Sequence, residues 1–434
     1  MAFWHHSVMR TKDQPQLLRT LGPWDLTAIS LNTIIGSGIF LLPATAAAAV
    51  GQRAPLAFLV AGLLSLLFAM SFAEASGRFS STGGPYLAAK AAFGGFVGFE
   101  VAWIFWLSRL AAVGAACNIF LSYLALFLPA AAEPLPRIVI ITALVLAVTL
   151  VNLRGARTGS TLTNIFTVAK LAPLIVLALG GALFVADAPP SAAAPLVAVD
   201  FWRAVLLVAF AFGGFEVATV PGGESANPRR DVPRALFLSV AGAMLLYVML
   251  QWVLFALYPN LATSTRPLAD AATSLIGPAG AALIGAAALI STAGYVLGAS
   301  LVVPRVTFAL AEQGQFPAVF ARVHERYHSP WVAIAVHGVI TWVLAVSLTF
   351  FSLVLINVLA RLIVTGVTCA AVLRLRATAP AANGYRAPFG PLIPLAGIAG
   401  VAVLLWQSSP HELLWGGVAL VVGSGLYPLL RRAR

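Results

Sequence analysis

Lys170 stands inside an apolar run, Asn164-Ile165-Phe166-Thr167-Val168-Ala169-Lys170-Leu171. A cation there costs several kcal/mol unless it is paired or faces a cavity. It lies about thirteen residues beyond Arg157, roughly 20 Å of helix at 1.5 Å per residue, too deep to reach an interface comfortably. A lysine, unlike an arginine, can change protonation state inside a protein. Lys170 is therefore a candidate proton carrier, with a purely structural cation as the other use. Arg109, in Trp106-Leu107-Ser108-Arg109-Leu110, is enclosed in the same way. Its guanidinium needs either an internal partner, for which Glu216 is the nearest choice, or an acidic group on a ligand. Arg305 and Arg361 also fall within apolar segments.

Two glycine clusters supply backbone rather than side-chain chemistry. One reads Asn32-Thr33-Ile34-Ile35-Gly36-Ser37-Gly38-Ile39-Phe40, the other Phe210-Ala211-Phe212-Gly213-Gly214-Phe215-Glu216. Each glycine in a helix costs about 1 kcal/mol relative to alanine and so permits unwinding; close helix packing is the alternative use. An unwound helix frees N–H groups that attract an anion and carbonyls that accept from a cation. A zwitterion such as an amino acid fits both.

Other chemistries are missing. Cys117 and Cys369 lie far apart in apolar stretches, which excludes a disulfide framework and a CxxC metal site. His337 and His411 have no companions at metal-ligand spacing. No nucleophile–base cluster, phosphate loop or nucleotide-binding motif occurs, so neither an enzyme nor an ATP-driven pump is expected. No metal, cofactor or nucleotide is expected either.

The elements that position these residues follow from composition. The chain has 434 residues, 60% of them hydrophobic and only 9% charged, with a mean hydropathy of +0.95. Soluble domains carry about a quarter charged residues. Disorder, a secreted disulfide scaffold and a soluble enzyme are excluded, leaving an all-α polytopic membrane protein in a lipid bilayer. A span needs roughly 20 apolar residues. Candidate spans are 24–50, 55–77, 93–129, 137–151, 160–186, 201–223, 234–258, 276–311, 331–350, 352–373, 391–408 and 411–430. The run 331–373 is split by a tight turn near Phe350–Ser352, and the short fourth span should extend toward Arg154.

The net charge of +12 is a topology signal rather than a nucleic-acid-binding face. With the N-terminus placed in the cytoplasm, most basic residues fall on inner segments, and only Arg53, Arg137, Arg203 and Arg266 fall outside. Residues 1–23, which lack a signal-peptide pattern, and 431–434 then form cytoplasmic tails. The expected location is the inner (cytoplasmic) membrane.

The glycine clusters open spans 1 and 6. If spans 1–5 (24–186) and 6–10 (200–376) are two repeats, the odd number of helices inverts the second, and the breaks correspond; helices 11 and 12 (391–430) follow. Matched interrupted spans point to a transporter's midplane site.

At these residues the chain resembles the amino acid–polyamine–organocation (APC) superfamily with its LeuT-type fold. Gly36-Ser37-Gly38-Ile39-Phe40 is similar to that family's span-1 signature, and Ser81-Thr82-Gly83-Gly84-Pro85-Tyr86 to its span 2–3 loop. Phe210–Glu216 with Glu224-Ser225-Ala226-Asn227-Pro228-Arg229-Arg230-Asp231-Val232-Pro233 resembles its span-6 region. Pro304-Arg305 and Ala311-Glu312-Gln313-Gly314-Gln315-Phe316-Pro317 resemble the end of its span 8. The resemblance implies that Gly36, Ser37 and Gly38 hold a substrate carboxylate. Carbonyls at Ile34, Phe210 and Gly213, beside Gly214, would hold the ammonium, and Phe210 would close over the substrate. It implies that Lys170 replaces a sodium ion beside the first break. Arg109 would repel a cationic side chain, and Ala299 stands where span 8 of a cation-transporting relative carries an aromatic. Glu74, Glu224 and Arg305 stand toward the cytoplasmic ends, where gating or structural ion pairs are expected. The expected function is amino acid transport by alternating access, most simply of a neutral amino acid with protons. An exchanger of the same fold is the alternative, and a membrane enzyme or channel the alternative from another class.

Overall fold

The computed structural model describes residues 22–79, 84–154, 156–184, 198–225, 227–312, 314–378 and 385–432. Residues 1–21 and 433–434 of the expected tails lie outside these, as do Ser81, Thr82, Gly83, Ala226 and Gln313 of the family-like motifs. Among the described residues the chain is helical, with no β-strand element.

The first expected span is divided into α1 (Pro23–Ile34), a 3₁₀ turn (Gly38–Phe40) and α2 (Leu42–Val50). Then come α3 (Ala54–Gly77), α4 (Pro85–Phe93), α5 (Gly95–Leu124), α6 (Pro134–Leu153) and α7 (Ala156–Ala182). The sixth expected span is likewise divided, into α8 (Ala198–Val208), a 3₁₀ turn (Ala209–Phe212) and a 3₁₀ run (Phe215–Glu224). α9 (Pro228–Leu257), α10 (Pro267–Ile276), α11 (Pro278–Glu312), α12 (Trp331–Ser347) and α13 (Phe350–Thr378) follow, then α14 (Leu392–Trp406) and α15 (Pro410–Arg432).

Local sequence explains many ends. Proline opens α1, α4, α6, α9, α10, α11 and α15, where its missing N–H and fixed φ suit a first turn. Asp25 accepts from Gly22 N–H at 2.8 Å and Asp231 from Asn227 N–H at 3.1 Å, satisfying groups that α1 and α9 leave free. The long run 331–373 breaks at Leu348–Thr349, slightly before the expected Phe350–Ser352. Thr349 caps the restart, its Oγ1 accepting from Ser352 N–H at 3.3 Å. The short helices α4 and α10 stand where the sequence reading placed only connections.

Among the described residues, six segments are long and apolar enough to cross a bilayer, including α5, α6, α11 and α13. Val168–Ala182, Phe201–Phe212 and Trp331–Ser347 are apolar but shorter, and α14 and α15 meet at a 120° bend. The chain is a multi-pass membrane protein. α5 lies buried among α11, α12 and α13, while α3 and α1 both run against α9. α6 instead turns Leu135, Val139, Leu146 and Leu150 outward, and α7 exposes Val168, Val176 and Leu179. Such faces are stable against hydrocarbon, where the helices satisfy their own backbone groups.

Glu74, near the end of α3, accepts from Arg78 at 3.2 Å, from Arg376 on α13 and from Ala387 N–H at 2.9 Å. One almost fully buried carboxylate thus ties two helices to the segment before α14. Glu74→Ala leaves two guanidiniums without their anion, and thermal unfolding should show a loss of about 3 kcal/mol. A loss within the range of an exposed ion pair, under about 1 kcal/mol, would remove this clamp from the account.

Candidate substrate site at the two helix breaks

The glycines allow the two breaks to touch. A Cβ on Gly38 would lie 2.8 Å from Ala211 Cα and 3.0 Å from the Phe210 ring, and one on Gly36 would lie 2.7 Å from the Tyr295 ring. Gly214 has φ +114°, and a Cβ there would meet Thr33 O at 2.6 Å. Against Gly213 lies the Arg361 guanidinium. A side chain at Gly38 or Gly214 would push one broken helix off the other, and one at Gly36 or Gly213 would press on Tyr295 or Arg361.

The carbonyls freed at the first break are taken by side chains from four helices. Lys170 Nζ, fully buried on α7, donates to Asn32 O and Ile35 O, each at 2.6 Å. Ser291 on α11 donates to Ile35 O at 3.3 Å and Gly36 O at 3.2 Å. Tyr247 on α9 donates to Ile34 O at 3.0 Å, and Tyr123 on α5 to Phe40 O at 2.8 Å. Ile34 O also accepts from Gly36 N–H at 2.8 Å, so both its lone pairs are in use. The N–H groups of Ser37 and Gly38 behave differently: among the described residues they find no backbone acceptor. With the Asn32, Ile34, Ile35 and Gly36 carbonyls engaged and these two N–H groups unspent, the break is a place for an anion.

Lys170 has two acceptors, one fewer than an ammonium's three N–H donors. Among the described residues no carboxylate pairs with it. What offsets its charge is the C-terminal end of α1, which carries the negative pole of that half-helix.

At the second break Gly213 N–H donates to Phe210 O at 2.9 Å, leaving that carbonyl one lone pair. Glu216, fully buried, accepts from Gly214 N–H at 3.0 Å through Oε2 and holds Arg109 Nη2 at 3.0 Å from Oε1. Arg109 also donates to Ser108 Oγ at 3.3 Å and lies over the Phe105 ring at 5.6 Å. Asn357 on α13 donates to Ser108 O at 2.7 Å and to its Oγ at 2.9 Å, fixing the turn that carries Arg109.

Between the breaks lies a narrow cavity with room for about one water. Thr33, Ile34, Gly36, Ser37 and Gly38 line one side, Phe210 and Gly213 the other, with Arg109, Ala112, Tyr295 and Asn357 completing the wall. Phe210 meets Phe350 edge-on at 6.0 Å between ring centres. Of the residues expected at the site, Gly214, Lys170 and Glu216 do not line the cavity. They stand behind it, Gly214 and Glu216 against the second break and Lys170 against the first. The span-8 assignment needs correction: α11 presents an aromatic after all, Tyr295, one helical turn before Ala299. Sequence reasoning also missed Thr33, Ala112 and Asn357 as wall residues, and the contact of Arg361 with the second break.

The remaining candidates lie elsewhere. His337 Nε2 is 3.3 Å from Ser300 Oγ, His411 pairs with Trp415 at 3.3 Å, and Arg305 donates to Leu301 O within its own helix. The Glu224 side chain lies outside the described ones. Among the described residues no group of three or more His, Cys, Asp or Glu could hold a metal ion.

Comparison with known proteins gives this arrangement a context. A family model described as "Amino acid permease" matches residues 21–417. The serine/threonine exchanger SteT of Bacillus subtilis (strain 168) is 27% identical over 441 residues, covering 97% of this chain and 98% of that one. The branched-chain amino acid permease BcaP of the same organism is 27% identical, covering 96% and 94%. Its methylthioribose transporter is 25% identical with the same coverage.

Proposed function

The chain belongs to the amino acid permease family and is a transporter rather than an enzyme, and from that premise we propose that it carries a neutral amino acid across the inner membrane together with protons. The observation that carries this reading is the pairing of unspent N–H groups at Ser37 and Gly38 with a small cavity closed by the second break. In this reading the substrate carboxylate sits on Ser37 and Gly38. Its ammonium takes the free lone pair of Phe210 O and the Gly213 carbonyl; Ile34 lends its wall rather than its oxygen. Phe210 closes over the substrate, Gly38 and Gly214 keep the breaks in contact, and Gly36 makes room for Tyr295.

The architecture proposed with it is the five-plus-five inverted repeat over 24–186 and 200–376, followed by helices 11 and 12, with both termini cytoplasmic. Alternating access then rocks one set of helices against the other around the broken pair. Lys170 supplies the coupling. When it is protonated, its charge favours a bound carboxylate; when the substrate leaves, the proton is less well held, and linkage makes the two effects reciprocal.

Selectivity follows from the wall. Arg109 is neutralised by Glu216 yet remains a cation at the cavity surface, so cationic side chains are repelled and acidic ones lack a free partner. Two of the relatives are named for amino acids without charged side chains, which supports the same choice. In a thermal-shift series on the purified protein, alanine, serine and valine should raise the melting temperature, while arginine and lysine should leave it unchanged. A larger shift with arginine than with alanine would overturn the assignment of Arg109, and a shift with glutamate alone would make Arg109 a substrate ligand. The name of one relative favours a second reading, obligate exchange, in which Lys170 keeps its proton throughout the cycle.

A further inference from the structure

Arg361 does to the second break what Lys170 does to the first. Lys170 Nζ donates to the carbonyl of Asn32, four residues before Gly36. Arg361 Nη2 donates to the carbonyl of Ala209, four residues before Gly213. The two acceptors are in register when the glycine breaks are aligned. The donors come from α7 and α13, which are the fifth spans of the two proposed repeats. Both side chains are buried, Arg361 to 4% exposure. Each meets the negative pole where a half-helix stops.

The charged and titratable groups that face Arg361 are Glu216 from the 3₁₀ run, Arg109 from α5 and Tyr295 from α11. Glu216 is already committed to Arg109 and to Gly214 N–H. The second guanidinium nitrogen, Nη1, is buried and has no hydrogen-bond partner, and it is packed against Gly213, where a Cβ would overlap it. Arg361 is thus held by the break itself rather than by a carboxylate of its own. The chemical difference between the two donors is decisive. An ammonium can release its proton inside a protein, whereas a guanidinium stays charged.

We propose that Arg361 is a positioning residue that locks the second break with a permanent charge, so that proton exchange during transport is confined to the first break at Lys170. This inference rests on the transport reading above. It implies one exchangeable proton per cycle from these two locks, and it makes Arg361→Lys an informative variant, because that change turns the permanent lock into a second exchangeable one.

The test is alanine counterflow in proteoliposomes, which reads the transport cycle without any ion gradient, compared for wild type, Arg361→Gln and Arg361→Lys between about pH 6 and about pH 9. Loss of a buried charged hydrogen bond should slow Arg361→Gln about tenfold or more at every pH. Arg361→Lys should recover to within about threefold of wild type at the acid end and fall away at the alkaline end by about tenfold more than wild type does. Superimposable pH profiles for wild type and Arg361→Lys would overturn the proposal, and this variant preserves the test if Arg361→Gln does not fold. So would a wild-type rate in Arg361→Gln. Wild-type protein that exchanges alanine but does not accumulate it under a pH gradient would defeat proton symport; an added alkaline loss in Arg361→Lys would still stand as support for the lock.

Discussion

Replacing Gly38 with valine should abolish amino acid binding while leaving a folded, membrane-inserted protein. The reason is steric. A Cβ at residue 38 would sit 2.8 Å from the backbone of Ala211 and 3.0 Å from the Phe210 ring, and valine adds two methyl groups beyond it. The two breaks must then separate, taking the Ser37 and Gly38 N–H groups away from the carbonyls that face them. Overpacking of this kind costs about 1–3 kcal/mol, and here it falls on the geometry that defines the site, so affinity should drop by about tenfold to a hundredfold or more. Gly242→Ala on α9 is the control, because nothing lies within 4 Å of the added Cβ; it should bind like wild type. Unchanged affinity in Gly38→Val, measured by calorimetry on protein that still melts cooperatively, would remove the site from between the breaks.

The breaks were legible in the sequence because their signal is local. Gly36-Ser37-Gly38 and Gly213-Gly214 interrupt apolar runs at adjacent positions, and helix propensity alone marks them. Lys170 was legible for a similar reason, as a lone cation deep in an apolar segment. Its acceptors, Asn32 O and Ile35 O, were not, since backbone carbonyls leave no trace in residue identity. Tyr295 shows where the pattern fails. Tyr295 and Ala299 are four residues apart on α11 and share one of its faces, so periodicity does not reveal which turn of that face reaches the cavity. Arg361 was visible as a buried cation, yet its tie to Ala209 depends on how α13 packs beside α8, a tertiary fact. The break between α12 and α13 had a signal that was passed over: Thr349 is a good N-cap residue, whereas the sequence reading looked for the turn in Phe350–Ser352. The helices α4 and α10 are too short for a periodic pattern to separate them from the connections around them.

The larger functional effect is expected at Lys170. Lys170→Ala removes both hydrogen bonds to the end of α1 and, in the proposed cycle, the group that carries the proton. Accumulation driven by a pH gradient should disappear, a loss of about a hundredfold or more, in line with removing two charge-assisted hydrogen bonds. Sodium should make no difference to the wild type, since the lysine nitrogen already occupies the carbonyls that a cation would need. Lys170→Arg should not rescue accumulation, because a guanidinium keeps its charge.

The most direct test of proton-coupled amino acid transport is alanine uptake by wild-type and Lys170→Ala proteoliposomes under three conditions: an inward proton gradient, an inward sodium gradient, and unlabelled alanine inside with no gradient. The predicted result is accumulation above equilibrium in the wild type under the proton gradient alone, unaffected by sodium and absent in Lys170→Ala. Uptake that requires internal alanine and ignores the proton gradient would contradict symport and leave the exchanger, while sodium-driven accumulation would contradict the role given to Lys170.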